Sequence, residues 1–166
     1  LTFLLGRLLG PSEYGAYAFA MSLLSFAVLF ATLGFHHFTI RALPPLLVED
    51  KHAEAMGVVA YATLVVVGLS LITAVVAALN PSWFVTDTAM QGAVAVSFLF
   101  VVPRTLGLLR TGILQGLGHP VAGQVPERLI EPTLVLGAVG VWASAGWSLG
   151  AETVLYLTLG AMVIAL

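Results

Sequence analysis

Between Tyr14 and Ile40 the chain carries no Asp, Glu, Lys or Arg, and apolar or small residues fill most of the interval. At ~1.5 Å of rise per residue, the roughly 20 residues from Tyr14 to Leu33 reach ~30 Å, the thickness of a bilayer's hydrocarbon core. Just upstream, Gly6-Arg7-Leu8-Leu9-Gly10-Pro11-Ser12-Glu13-Tyr14-Gly15 has the punctuation of a helical hairpin. Gly10 is free to take the left-handed conformation that closes a helix, and Pro11 fits the first turn of the next, where a missing N–H costs nothing. Glu13 then lies near the positive end of the new helix dipole. The pattern predicts a first helix ending over Leu1 to Leu9. A second runs from about Pro11 into the Gly34 to Ala42 region, with Pro44-Pro45 expected to forbid continuation. At 100° per residue, Gly15, Ala18, Ser22, Ser25 and Thr32 form one stripe of small residues, and Ala16, Ala20, Ala27, Ala31 and Gly34 form another. Small stripes let helices approach closely, so two of them predict neighbours on both sides and a place inside a bundle.

Glu49, Asp50, Lys51, His52 and Glu54 then cluster in what reads as a solvated loop. A third helix follows from Ala55 to Leu79, free of charge, and Asn80-Pro81 ends it. Trp83 and Phe84 come next, where interfacial aromatics are expected. The fourth helix starts near Thr88; stopping at Val102 would leave it too short to span, so it is carried through Pro103-Arg104 to about Leu114. On that helix Ser97, Arg104, Thr111 and Gln115 fall on one face. Gly116-Leu117-Gly118-His119-Pro120 closes it. The fifth helix begins around Pro126, holds Glu127, Arg128 and Glu131 in its first turns, is kinked or offset by Pro132, and runs to about Trp147. The sixth starts near Glu152.

Composition agrees with a membrane protein: 60% of the 166 residues are hydrophobic, only 8% are charged, and the mean hydropathy is +1.06. Soluble domains carry roughly 25% charged residues, so the polar surface of a water-exposed globule is missing. A net charge of -2 offers no basic field for nucleic acid. Cysteine is absent, which excludes disulfides and Cys-ligated metals. Residue 1 is Leu, and the apolar run from Thr153 reaches Leu166 without a stop signal. The expectation is an all-α, polytopic transmembrane helix bundle. It would have about four complete and two truncated membrane helices, residues 1–166 forming one membrane domain of a longer chain with no soluble domain. Arg41, Lys51, Arg110 and Arg128 fall at or near the second-to-third and fourth-to-fifth connections. Glu13, Asp87, Glu152, Tyr14, Trp83 and Trp147 fall at the alternate ones, where Arg7 is the lone basic residue. The positive-inside rule then sets the Lys/Arg-rich loops in the cytoplasm.

Catalytic chemistry finds little support. There is no G-x-S-x-G, no H-E-x-x-H, no phosphate-binding glycine loop, and no pair of carboxylates facing one another at helical spacing, so no catalytic, cofactor-binding or metal residue is assigned. His36 and His37, adjacent on a helix, point about 100° apart and make a poor metal pair. Gly116 and Gly118 read as a helix end. Arg104 is the residue that stands out. An arginine near a helix centre costs ~2.5–3.5 kcal/mol by insertion scales, so such residues usually face a bundle interior or a wet cavity. Two roles fit it: lining a cavity that meets an anionic substrate, or pairing with a carboxylate or snorkelling from a helix end. Pro103 beside it adds a helix irregularity where carbonyls are freed.

Arg7-Leu8-Leu9-Gly10-Pro11-Ser12-Glu13-Tyr14-Gly15, a small-residue helix ending Leu33-Gly34, and Arg41 seven residues on together resemble the first hairpin of polysaccharide biosynthesis proteins. Leu114-Gln115-Gly116-Leu117-Gly118 and Arg128 through Glu131-Pro132 look like that family's fourth-to-fifth connection. These are lipid-linked oligosaccharide flippases, including O-antigen exporters of lipopolysaccharide assembly, within the multidrug/oligosaccharidyl-lipid/polysaccharide exporter superfamily. The resemblance implies two lobes in the cytoplasmic membrane, of which this chain would be the first. It also implies alternating access to a cationic cavity, and an undecaprenyl-pyrophosphate-linked sugar as substrate. Arg7, Arg41 and Arg104 are the positions it marks for substrate binding. The partners it implies are the bilayer, the lipid-linked oligosaccharide and a second lobe of the same chain, with no cofactor. A cation-coupled multidrug antiporter of the same superfamily, or a membrane enzyme of glycan assembly, are the alternatives.

Overall fold

The computed structural model describes residues 2–86, 88–144 and 151–165, with side chains at 10–86, 91–142 and 153–164. All the regular structure among them is helical: α1 (Thr2–Thr32), α2 (Phe35–Val48), α3 (His52–Leu79), α4 (Thr88–Leu99), α5 (Val101–Gly116), α6 (Pro120–Val125), α7 (Glu131–Ser144) and α8 (Ala151–Ala165). A 3₁₀ turn, Pro81–Trp83, follows α3, and a π turn, Pro126–Ile130, joins α6 to α7. Three stretches are long and apolar enough to cross a membrane: Gly10–Thr32, His52–Leu79 and Gln91–Gly116. The expected all-α membrane bundle is therefore present, with three such helices among the described residues.

Packing follows the rule of membrane helices, small residues inward and large ones outward. On α3 the buried positions are Ala55, Ala62, Val66, Ser70, Ala74 and Ala77, a stripe of three-, four- and seven-residue steps. Tyr61, Leu64, Leu71, Ile72, Val75, Val76 and Leu79 lie exposed on the same helix. So large an apolar surface is tolerable where the surroundings are hydrocarbon. The main core joins Ala20, Leu24, Ala27 and Ala31 of α1 to Val94, Phe98, Phe100 and Val101 of the α4–α5 span and Leu155 and Met162 of α8. Hydroxyls largely return to their own helices. Ser22 donates to the carbonyl of Ala18 at 2.9 Å, Thr63 to Val59 at 2.8 Å, Thr73 to Leu69 at 2.8 Å and Thr158 to Val154 at 2.8 Å.

Several expectations need correcting. Of the two small stripes on α1, the one with Ala20, Ala27 and Ala31 is packed, whereas in the other Gly15, Ser22 and Ser25 are exposed and Thr32, at its end, is buried. Neighbours from this chain thus cover one side. Gly10 has the positive φ expected of it, at φ 78°, ψ 167° in a region confined to glycine rather than left-handed helical, and two helical stretches meet at a kink there, as the Gly10-Pro11 punctuation predicts. The second predicted helix breaks earlier than Pro44-Pro45, at Leu33 (φ 42°) and Gly34 (φ 76°). A leucine in that region costs about 1–2 kcal/mol, which the neighbouring glycine makes easier to accommodate. Beyond the break α2 runs through both prolines. Their fixed φ suits a helix, both are exposed, and the N–H of Glu49 still reaches the carbonyl of Pro45 at 3.1 Å. The fifth predicted helix starts at Pro120, six residues ahead of expectation, and the π turn interrupts it. Asp87 and Trp147, which supported the orientation, lie outside the described residues.

α5 sits at the centre of the polar end, against α2, α3 and α6. Gly112 and Gly116 make its contact with α2. A Cβ on Gly112 would meet the carbonyl oxygen of His36 at 2.5 Å, and one on Gly116 that of Thr39 at 2.9 Å. Gly116, read in sequence only as a helix end, is thus half of a glycine notch for a crossing helix. Gly118 (φ 82°) does end α5. The N–H of His119 reaches the carbonyl of Leu114 at 2.8 Å and that of Gly118 reaches Gln115 at 3.0 Å, the paired bonds of a Schellman cap.

Candidate functional site

Two helix irregularities face each other across the bundle. The first separates α4 from α5 at Phe100, whose N–H turns back to Ser97 at 3.1 Å before Arg104 resumes the α pattern to Phe100 at 2.9 Å. Pro103 has no N–H to give the carbonyl of Leu99, so the break falls just ahead of it. The second is the π turn, in which the N–H of Glu131 closes on the carbonyl of Pro126, five residues back. Such single π turns are frequent at functional sites. Just C-terminal along α5 from the first break, the hydroxyl of Thr111 donates to the carbonyl of Gly123 at 2.9 Å. Gly123 itself packs against the Thr111 backbone, where an added Cβ would lie 3.2 Å from Cα. This close contact fixes α6 on α5 and brings the π turn opposite Arg104.

Between the two breaks lies a cleft lined by Pro103, Arg104, Gly107 and Arg110 of α5, Pro126 and Glu127 of the π turn, Glu131 of α7 and Met162 of α8. Nη1 of Arg104 donates to Oε2 of Glu131 at 2.9 Å. The Glu131 side chain is 14% exposed and that of Arg104 40%. The free volume is only about 10 Å³, room for about one water molecule. Two cations and two carboxylates thus gather in an otherwise apolar bundle. Buried charges of this kind need partners, since an unpaired one costs several kcal/mol. The arrangement can hold or release an anion at Arg104, or a cation or proton at the carboxylates.

Of the arginines marked by sequence, Arg104 is the one this cleft contains. Arg41 stands exposed on α2 and does not line the cleft. The backbone of Arg7 belongs to α1, and its side chain lies outside the described residues. Ser97 and Thr111, expected on the Arg104 face, are buried and give their hydroxyls to carbonyls of Val94 and Gly123. Glu127, Glu131 and Arg110 were missed. The expectation of no paired carboxylates is corrected: Glu127 and Glu131, four residues apart, line one cleft. Their spacing was a usable signal, as was the need of Arg104 for a counter-charge. Arg110, assigned only to an orientation count, lies within α5 beside Arg104.

The rings of His36 and His37 lie with centroids 3.8 Å apart and planes tilted by 40°. Nδ1 of His36 is buried without a hydrogen-bond partner. Burial, and secondarily the neighbouring His37, hold the His36 imidazole below its ordinary value and favour the neutral form. Among the described residues no group of three or more His, Cys, Asp or Glu could hold a metal ion.

The apolar exterior, three membrane-length helices and a charged cleft between broken helices define a helical membrane protein. A family profile described as polysaccharide biosynthesis protein matches residues 4–115. The chain belongs to that family. Comparison with curated proteins and with solved structures returned no match.

Proposed function

We propose that this chain acts in the export of a surface polysaccharide. It would be the first lobe of a flippase that carries an undecaprenyl-pyrophosphate-linked oligosaccharide, of the O-antigen type, across the cytoplasmic membrane by alternating access. Membership of the polysaccharide biosynthesis family supports the pathway, and the membrane-length helices support the bilayer as the setting. The observation that carries the transport reading is Arg104. It is a cation kept inside an apolar bundle, at a site where one flanking helix tightens at Phe100 and the other widens into a π turn, and it is partly exposed while paired with a single carboxylate. An arginine so placed suits a pyrophosphate, whose oxygens accept its fork of donors. The Lys/Arg-rich loops lie on the cytoplasmic side in this reading, and no catalysis or cofactor is assigned. Arg41 and Arg7 are secondary substrate contacts reached in other states of the cycle.

The test is transport by the full-length protein carrying Arg104→Ala, followed as surface polysaccharide or as lipid-linked oligosaccharide reaching the outer leaflet. The expected result is a loss of at least an order of magnitude, the scale of removing one charge-assisted contact of about 1.5–3 kcal/mol. Normal transport by a normally folded Arg104→Ala protein would overturn the reading.

A further inference from the structure

Glu131 holds Arg104 through one nitrogen–oxygen contact of 2.9 Å and is itself mostly buried. The cleft around the pair has room for about one water molecule, far too little for a phosphate group. An anion can therefore enter the cleft and take the Nη1 of Arg104 only if the pair opens. The charged or titratable groups that face Glu131 are Arg104 and Arg110 from α5, Glu127 from the π turn and Tyr17 from α1; α8 contributes Met162. Once Arg104 turns to another anion, Glu131 is left mostly buried beside a second carboxylate and without its hydrogen-bonded guanidinium, with Arg110 still lining the cleft. A mostly buried charge that loses its partner is strongly disfavoured, and neutralisation is the accessible way out.

We infer that Glu131 is a built-in competitor of the substrate for Arg104, and that each anion bound at Arg104 is accompanied by one proton taken up by the Glu131 carboxylate. This rests on the transport reading above and adds to it a coupled proton. The balance is simple: the Arg104–Glu131 ion pair breaks, Arg104 pairs with the incoming anion, and Glu131 passes from carboxylate to carboxylic acid with a proton from water. Glu131 is thus a positioning and coupling residue; Arg104 is the one that touches the anion.

The experiment uses the full-length protein in detergent, with inorganic pyrophosphate as the probe. Titration calorimetry in buffers of different ionisation enthalpy reads both affinity and protons exchanged. Pyrophosphate titrates too, so the informative quantity is the difference between wild type and Glu131→Gln. The wild type should take up about one proton more per site than Glu131→Gln. Glu131→Gln should bind more tightly, because no counter-ion has to be displaced, and should lose an affinity gain of up to roughly tenfold per pH unit towards acid, the limit for one coupled proton. Equal proton uptake in the two proteins overturns the inference. If Arg104→Gln binds pyrophosphate as well as the wild type, the transport reading fails instead, so the two failures are separable. Should Glu131→Gln not fold, Glu131→Asp serves. Its shorter carboxylate releases Arg104 more easily, so affinity should rise with uptake retained, and unchanged affinity counts against the inference.

Discussion

Gly112 shows how much one hydrogen atom decides in this bundle. Its place on α5 is 2.5 Å from the His36 carbonyl oxygen and 2.8 Å from the Thr39 hydroxyl, measured from where a Cβ would stand. Gly112→Ala gains up to about 1 kcal/mol of helix propensity. It must also push two helices apart, and overpacking costs about 1–3 kcal/mol. Thermal unfolding in detergent should therefore find Gly112→Ala less stable than wild type. Gly137, with nothing within 4 Å of its added Cβ, is the matched control, and Gly137→Ala should be neutral or slightly stabilising. Equal behaviour of the two would mean that α2 and α5 do not meet as described. Legibility differs sharply at this scale. Arg104 announces itself because a lone charge in an apolar segment is expensive. Its partner does not, because Glu131 lies 27 residues away and reaches it only through a helix break, a glycine contact and a widened turn.

At the level of elements, uncharged runs bounded by glycine and proline locate helices well and their irregularities poorly. α3 begins three residues before its predicted start and ends where Asn80-Pro81 says it should. The break at Phe100 falls three residues ahead of Pro103, because a proline removes the hydrogen bond to the carbonyl four residues back, not its own. A π turn has no periodicity of its own to read, and Pro126 and Pro132 mark only its neighbourhood. Gly10 offers the sharpest test of an element boundary. Its φ of 78° with ψ of 167° is a region essentially confined to glycine, and another residue there costs about 1–3 kcal/mol. Gly10→Ala should lower thermal stability in detergent by that amount, whereas a protein as stable as wild type would mean that the kink is not held.

For the molecule as a whole, hydropathy alone was enough to give the class, since 60% hydrophobic and 8% charged residues leave few other solvents for the surface. The arrangement of the ends across the membrane is a prediction. The turns at Asp50 and His119 should lie on one side and Ser82 on the other, because α3 separates the first from the third and the α4–α5 span separates the third from the second. The chain has no cysteine, so Asp50→Cys, His119→Cys and Ser82→Cys, introduced singly, report directly through an impermeant thiol reagent applied to intact cells. Asp50→Cys and His119→Cys should be protected and Ser82→Cys labelled; labelling of all three, or of Asp50→Cys and His119→Cys alone, contradicts the arrangement. The hydroxyls of Ser22, Thr63 and Thr73 bear on how such a molecule moves. Each is already satisfied by a carbonyl one turn back on its own helix, so it makes no claim on a neighbour. Sliding surfaces built this way present no ladder of bonds to be broken in sequence. Resistance to rearrangement is concentrated in a few discrete fasteners, and the rate of a conformational cycle becomes adjustable by altering one side chain without remaking the interface.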